Sequence, residues 1–162
     1  MSLQNSIQWI YSTEISSTLR DALWVIPTVQ SIHIIAIAVL IGSALIVDLR
    51  KLGLMASDQS ASLVISRYIP RMWGAMSVLL LTGLMMIVAE PERTITNTIF
   101  IYKMLLVGTA FIFTMIFSRP FLDPEFTLND VAWGRFVKPI AWLSLAIWVA
   151  IIFCGRWIAY AE

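Results

Sequence analysis

Four apolar stretches, separated by short polar loops, dominate this chain, and each is long enough to cross a hydrocarbon core as a helix of about 20 residues. They lie near 24–47, 69–89, 98–118 and 138–160. In hydrocarbon every backbone N–H and C=O needs a partner within the protein, so an apolar run of this length is restricted to a helix. The expected fold is therefore all-α, an integral membrane four-helix bundle. Composition agrees: 59% of the 162 residues are hydrophobic and 13% are charged, whereas soluble domains carry roughly one-quarter charged residues. No loop is long enough for a second domain, so residues 1–162 are read as a single four-span unit.

The formal net charge of +1, without a concentrated basic patch, argues against nucleic acid as a partner. The lone cysteine, Cys154, offers no internal disulfide and no paired-cysteine metal motif. Residues 1–23 lack the basic start and continuous apolar core of a secretory signal, so they are expected to be retained. Within them Ile7, Trp9, Ile10, Ile15 and Leu19 alternate with Ser, Gln and Thr. That pattern suggests one or two short amphipathic helices lying at the membrane surface, over the mouth of the bundle.

Arg50, Lys51, Arg67, Arg71, Arg119, Arg135 and Lys138 gather around the first and third loops. By the positive-inside rule both termini are then outside. Trp24, Tyr68, Trp73, Tyr102, Trp157 and Tyr160 fall near span ends, where amphipathic rings favour the headgroup zone. Small residues, including Ala36, Gly42, Ser43, Ala44, Gly74, Ala75, Gly83 and Gly108, recur within the spans and suit close helix contacts. The charged stop Asp48-Leu49-Arg50-Lys51-Leu52-Gly53 reads as an interfacial anchor, with Asp48 neutralised by Arg50 or Arg71.

Function is sought at the ionisable groups inside the spans, because each is costly to desolvate and tends to mark a ligand, ion or proton site. His33, the only histidine, lies about 14 Å into the first span at roughly 1.5 Å per residue, with Gln30 one turn earlier. Lys103 lies some 7 Å into the third span by the same rise, and Arg156 about one turn before Tyr160 in the fourth. Three nitrogenous side chains from three helices thus meet in the outer half. A deep imidazole with shallower cations suits a b-type haem, with His33 on the iron and Lys103 and Arg156 on the propionates. A quinone or another amphipathic anion fits as well.

Structural readings compete with each of these roles. His33 can serve as a packing link bonded to Gln30, a threonine or a carbonyl. Lys103 can snorkel to the interface, and Arg156 can do so or pair with Glu90, Glu92 or Asp21. Met85 and Met86, in the outer half of the second span, are candidates for the second axial position, as is Cys154 at similar depth. Water or an external ligand can fill that position equally. No nucleophile triad, phosphate loop or paired-carboxylate arrangement is present in the sequence.

The run from His33 to Gly42, His-Ile-Ile-Ala-Ile-Ala-Val-Leu-Ile-Gly, together with Tyr102-Lys103-Met-Leu-Leu-Val, resembles small bacterial four-helix membrane proteins, among them HemJ-type protoporphyrinogen oxidases and CopD-like copper-resistance proteins. In the HemJ type an analogous first-span histidine and third-span lysine accompany a bound b haem, which implies haem for His33 and a nearby role for Lys103. The chain is also similar to an uncharacterised bacterial membrane family through Leu19-Arg20, Trp24, Pro27, His33, Asp48-Leu49-Arg50 and the ending Gly155-Arg156-Trp157-Ile158-Ala159-Tyr160. These resemblances imply the bacterial inner membrane.

The expected function is membrane-embedded haem binding for electron transfer or redox chemistry, with a membrane or periplasmic redox partner and self-association compatible with the lipid-facing surface. Two other readings stand beside it: a carrier or channel for copper or a small anion, and an accessory subunit of a larger membrane complex.

Overall fold

The computed structural model describes residues 3–56, 58–122 and 131–157. Among these residues seven helices follow in chain order: α1 (Leu3–Tyr11), α2 (Glu14–Asp21), α3 (Val25–Lys51), α4 (Ala61–Ala89), α5 (Pro91–Ile95), α6 (Thr98–Ser118) and α7 (Val131–Trp157), with a 3-10 turn at Pro120–Leu122. No strand occurs among the described residues. Helices α3, α4, α6 and α7 are long and apolar enough to cross a membrane. The protein is an all-α membrane bundle.

Three boundaries move outward from the sequence expectation, among them the start of α7, at Val131 and not 138. Helix α4 starts at Ala61, well before the apolar stretch at 69, because the Ser60 hydroxyl accepts from the Leu63 N–H and supplies an N-cap. Helix α3 runs through its charged stop to Lys51 and ends in a Schellman motif, with Leu54 N–H on Leu49 O, Gly53 N–H on Arg50 O, and Gly53 at φ +75°. Asn97 caps α6 by accepting from the N–H groups of Ile99 and Phe100. Residues 158–160 of the expected fourth span lie outside the described residues.

Helices α3 and α4 form one closely packed antiparallel pair and α6 and α7 a second, joined along α3 and α7. Across the remaining seam the backbones of α4 and α6 approach less closely. There the side chains make the junction, with Trp73 and Phe111 edge-to-face at 4.9 Å between centroids. Leu40, Ala44, Met72, Ala75, Ala110, Phe111, Trp148 and Ile151 fill the central core. Val47, Ile65, Phe121 and Val137 fill a smaller one towards the end of α3. The outward faces carry Ile34, Ile35, Leu81, Leu105, Ile112, Leu143 and Phe153, all exposed and all apolar. An apolar exterior of this kind is what lipid requires.

The two N-terminal helices cap one end of the bundle. Ser16, fully buried, donates to Val88 O at 2.7 Å, and Arg20 donates to Ala89 O and Tyr11 O while its guanidinium lies over the Tyr11 ring. Orphan carbonyls at the end of α4 are thereby satisfied by α2. Trp9, Ile15, Leu23 and Trp24 remain exposed at this end.

Candidate functional site

Along α3 the inward positions are Val29, Ala36, Leu40, Ser43, Ala44, Val47, Asp48 and Lys51. His33 stands four residues after Val29 and three before Ala36, so the helical period turns it to the same stripe. Its side chain is half-buried and points to α4, where Nδ1 lies 2.7 Å from Thr82 Oγ1.

The direction of that hydrogen bond follows from a count of protons. Thr82 Oγ1 lies 2.7 Å from Val78 O and 3.3 Å from Leu79 O, and carbonyl oxygens only accept. The single hydroxyl proton therefore goes to the α4 backbone, a bond that threonines commonly make within a helix. Thr82 is left to accept, and His33 Nδ1 must carry the hydrogen. In the neutral imidazole the lone pair then resides on Nε2. Next to Thr82, Gly83 lies against the ring: a Cβ built there would stand 3.7 Å from His33 Cε1.

Lys103 on α6 lies within electrostatic range of His33 of α3 and of Cys154 of α7. It makes no salt bridge among the described residues. Four helices thus contribute to one level: His33 from α3, Thr82 and Gly83 from α4, Lys103 from α6 and Cys154 from α7.

Among the described residues no hydrogen bond joins the remaining sequence candidates to this group. Gln30 is exposed, and the described partner of His33 is Thr82. Met85 is exposed and Met86 half-buried on the same helix as Thr82. The side chain of Arg156, on the last turn of α7, lies outside the described residues. Sequence reasoning does not single out Thr82 or Gly83. The available signal is depth: Thr82 lies about two turns before the end of α4 and His33 about two turns after the start of α3, so an antiparallel pair brings them nearly level.

At the other end of α3, Asp48 pairs with Lys51 at 3.4 Å, not with Arg50 or Arg71. A spacing of three keeps Asp48 and Lys51 on one face. Arg50 instead donates to Gln59 O at 2.6 Å, and Arg71 lies over the Tyr68 ring.

Among the described residues no three His, Cys, Asp or Glu side chains converge, so a bare metal ion would lack a full protein ligand set. A haem brings four equatorial nitrogens of its own and needs one or two axial ligands. The donor chemistry at His33 fits that requirement: one ring nitrogen is tied back and the other keeps its lone pair, the arrangement that orients ligating imidazoles elsewhere. Gly83 and half-buried Leu79 and Met86 give the adjoining α4 face an apolar wall. A cavity of about 310 Å³ lies away from this level, at the capped end, lined by Tyr11, Glu90, Pro91 and Glu92.

A family model covering residues 21–161 matches this chain, described as a family of unknown function, DUF6644. The chain belongs to that family. No curated protein and no solved structure matches it. The match begins just before α3 and takes in all four spanning helices, so the family unit is the bundle itself.

Proposed function

We propose that this DUF6644 protein binds a b-type haem within the membrane and serves electron transfer or redox chemistry. One observation carries the reading: Thr82 holds the Nδ1–H of His33, which leaves the Nε2 lone pair as the ligating atom. When bound, haem supplies one-electron redox chemistry, with a potential set by axial ligation, hydrogen bonding and burial.

In this reading His33 holds the iron and Thr82 fixes the plane and tautomer of the ring. Lys103, free of any described carboxylate, offers its ammonium to one propionate, and Arg156 serves the other. Met85 or Met86 completes the coordination, and Gln30 lines the approach. The His33 end faces the outside of a bacterial inner membrane, as do both termini, and meets its redox partner there. The likeness of the His33 and Lys103 runs to HemJ-type and CopD-like proteins supports the same assignment.

Purified protein, expressed with haem supplied, is expected to show a Soret band and a positive pyridine haemochrome test, both lost in His33→Ala. A folded, colourless protein overturns the proposal. A carrier for a small anion is the second reading, favoured by Lys103 beside the site without a described carboxylate partner. Uptake into proteoliposomes that is lost in Lys103→Gln supports it, since a static electron carrier moves no solute.

A further inference from the structure

The apolar core at Leu40, Met72, Phe111 and Trp148 separates the His33 level from a second polar level built on other residues. Asp48 and Lys51 lie there on α3, with side chains 0% and 3% exposed, in company with Ser144 of α7. At roughly 1.5 Å per residue, Asp48 is about 22 Å along α3 from His33, so the two levels are independent.

The hydrogen bonding of this group is incomplete. Asp48 Oδ1 receives Lys51 Nζ at 3.4 Å, longer than the 2.7–2.9 Å usual for a charge-assisted bond. Asp48 Oδ2 and Ser144 Oγ are buried and have no other hydrogen-bond partner among the described residues. The Ser144 hydroxyl nevertheless faces the Asp48 carboxyl from α7. Buried polar atoms in native structures are paired in at least nine cases of ten, so an unpartnered carboxylate oxygen on fully buried Asp48 calls for a partner.

Lys51 also borders a small cavity of about 10 Å³ with Phe117, Phe121, Val137 and Ile140. Among the described residues Lys51 is the one charged group acting on Asp48. The flanking side chains from α4, Val64 and Ile65, are buried and apolar, and Arg50 is turned to Gln59.

We infer that Asp48, Lys51 and Ser144 form a proton-binding site, in which the buried Asp48 carboxylate takes up a proton. The balance is simple: a proton leaves hydronium for Oδ2, one O–H bond forms, and the new carboxylic hydrogen is donated to Ser144 Oγ. Lys51 keeps its ammonium, so the site goes from neutral to a single positive charge. Nothing is oxidised or reduced, and no other reactant is needed. In the carboxylate state Ser144 can only donate to Asp48; uptake of the proton reverses that bond, with Oδ2 as donor and Ser144 Oγ as acceptor.

Infrared difference spectroscopy on the full chain in lipid bilayers, with carbon-13-labelled aspartate, tests this site. On acidification a carboxylic C=O band should rise reversibly and be lost in Asp48→Asn. In Ser144→Ala the band should move to higher frequency, because its hydrogen bond is gone. In Lys51→Met the midpoint should move to higher pH, because the nearby cation no longer favours the carboxylate. Should Asp48→Asn fail to fold, the shifts in Ser144→Ala and Lys51→Met assign the band. A band absent at every pH, one present unchanged at every pH, or one indifferent to all three substitutions overturns the inference. Haem absorbance reads the His33 level separately, so either proposal can fail alone.

Discussion

Thr82 decides what the one histidine of this protein can do. Its hydroxyl proton is committed to Val78 O, so it can hold His33 only as an acceptor. Replacing it with valine, close in shape, removes the acceptor and frees the imidazole to rotate or to exchange tautomers. The expected cost is about 1 kcal/mol, the net worth of one buried hydrogen bond, read as a lower thermal unfolding midpoint in detergent. Nitrogen-15 NMR of labelled histidine should show Nδ1 protonated in the parent and a tautomer mixture in Thr82→Val. An unchanged Nδ1-protonated spectrum in the variant would remove Thr82 from the site. Gly83 gives a graded companion test. A methyl group there would meet His33 Cε1 at 3.7 Å, ordinary van der Waals contact, so Gly83→Ala should keep the His33–Thr82 bond. Gly83→Leu fills the same space with a branched side chain and should abolish the tautomer signature. His33 and Lys103 are legible in the sequence because ionisable groups stand out in apolar runs. Thr82 is not, because a threonine in a spanning helix usually satisfies itself on its own backbone and signals nothing until its neighbour across the interface is known.

Helix ends show the same division between what the chain declares and what packing adds. The four spans are plain from hydropathy, and α6 begins and ends where the apolar stretch does. The polar lead of α4, with Ser66 and Arg67, reads as loop because hydropathy sees those residues, whereas the Ser60 cap and the buried Val64 and Ile65 hold it helical. Caps therefore carry stability that the apolar pattern does not reveal. Asn97 accepts from two N–H groups at the start of α6, the spanning helix with the least buried surface. Asn97→Ala should cost about 1 kcal/mol, as loss of an N-cap typically does, and should speed amide exchange at Ile99 and Phe100. Gly53 closes α3 at φ +75°, where any Cβ is strained. Gly53→Ala should therefore destabilise by about 1 kcal/mol despite open space around the position. A Gly53→Ala protein as stable as the parent would mean that the Schellman turn relaxes without consequence for the bundle.

At the scale of the whole molecule the distribution of small residues separates protein-facing from lipid-facing surface. Ala44 is completely buried in the central core, in the cluster that includes Met72 of α4 and Trp148 of α7. Ala38, on the same helix, is exposed. A leucine at 44 has no lipid to displace and must push neighbouring helices apart or force Trp148 from its place. Overpacking of a filled core costs about 1–3 kcal/mol, so Ala44→Leu should lower the unfolding midpoint markedly. The same substitution at 38 exchanges one lipid-facing apolar group for another and should leave the midpoint near that of the parent. The contrast also probes association, because lipid-facing helix surfaces pack against other helices through small residues. If Ala38→Leu destabilises as much as Ala44→Leu, the face bearing Ala38 is covered by a second copy or another membrane subunit. If only Ala44→Leu does so, lipid is its solvent.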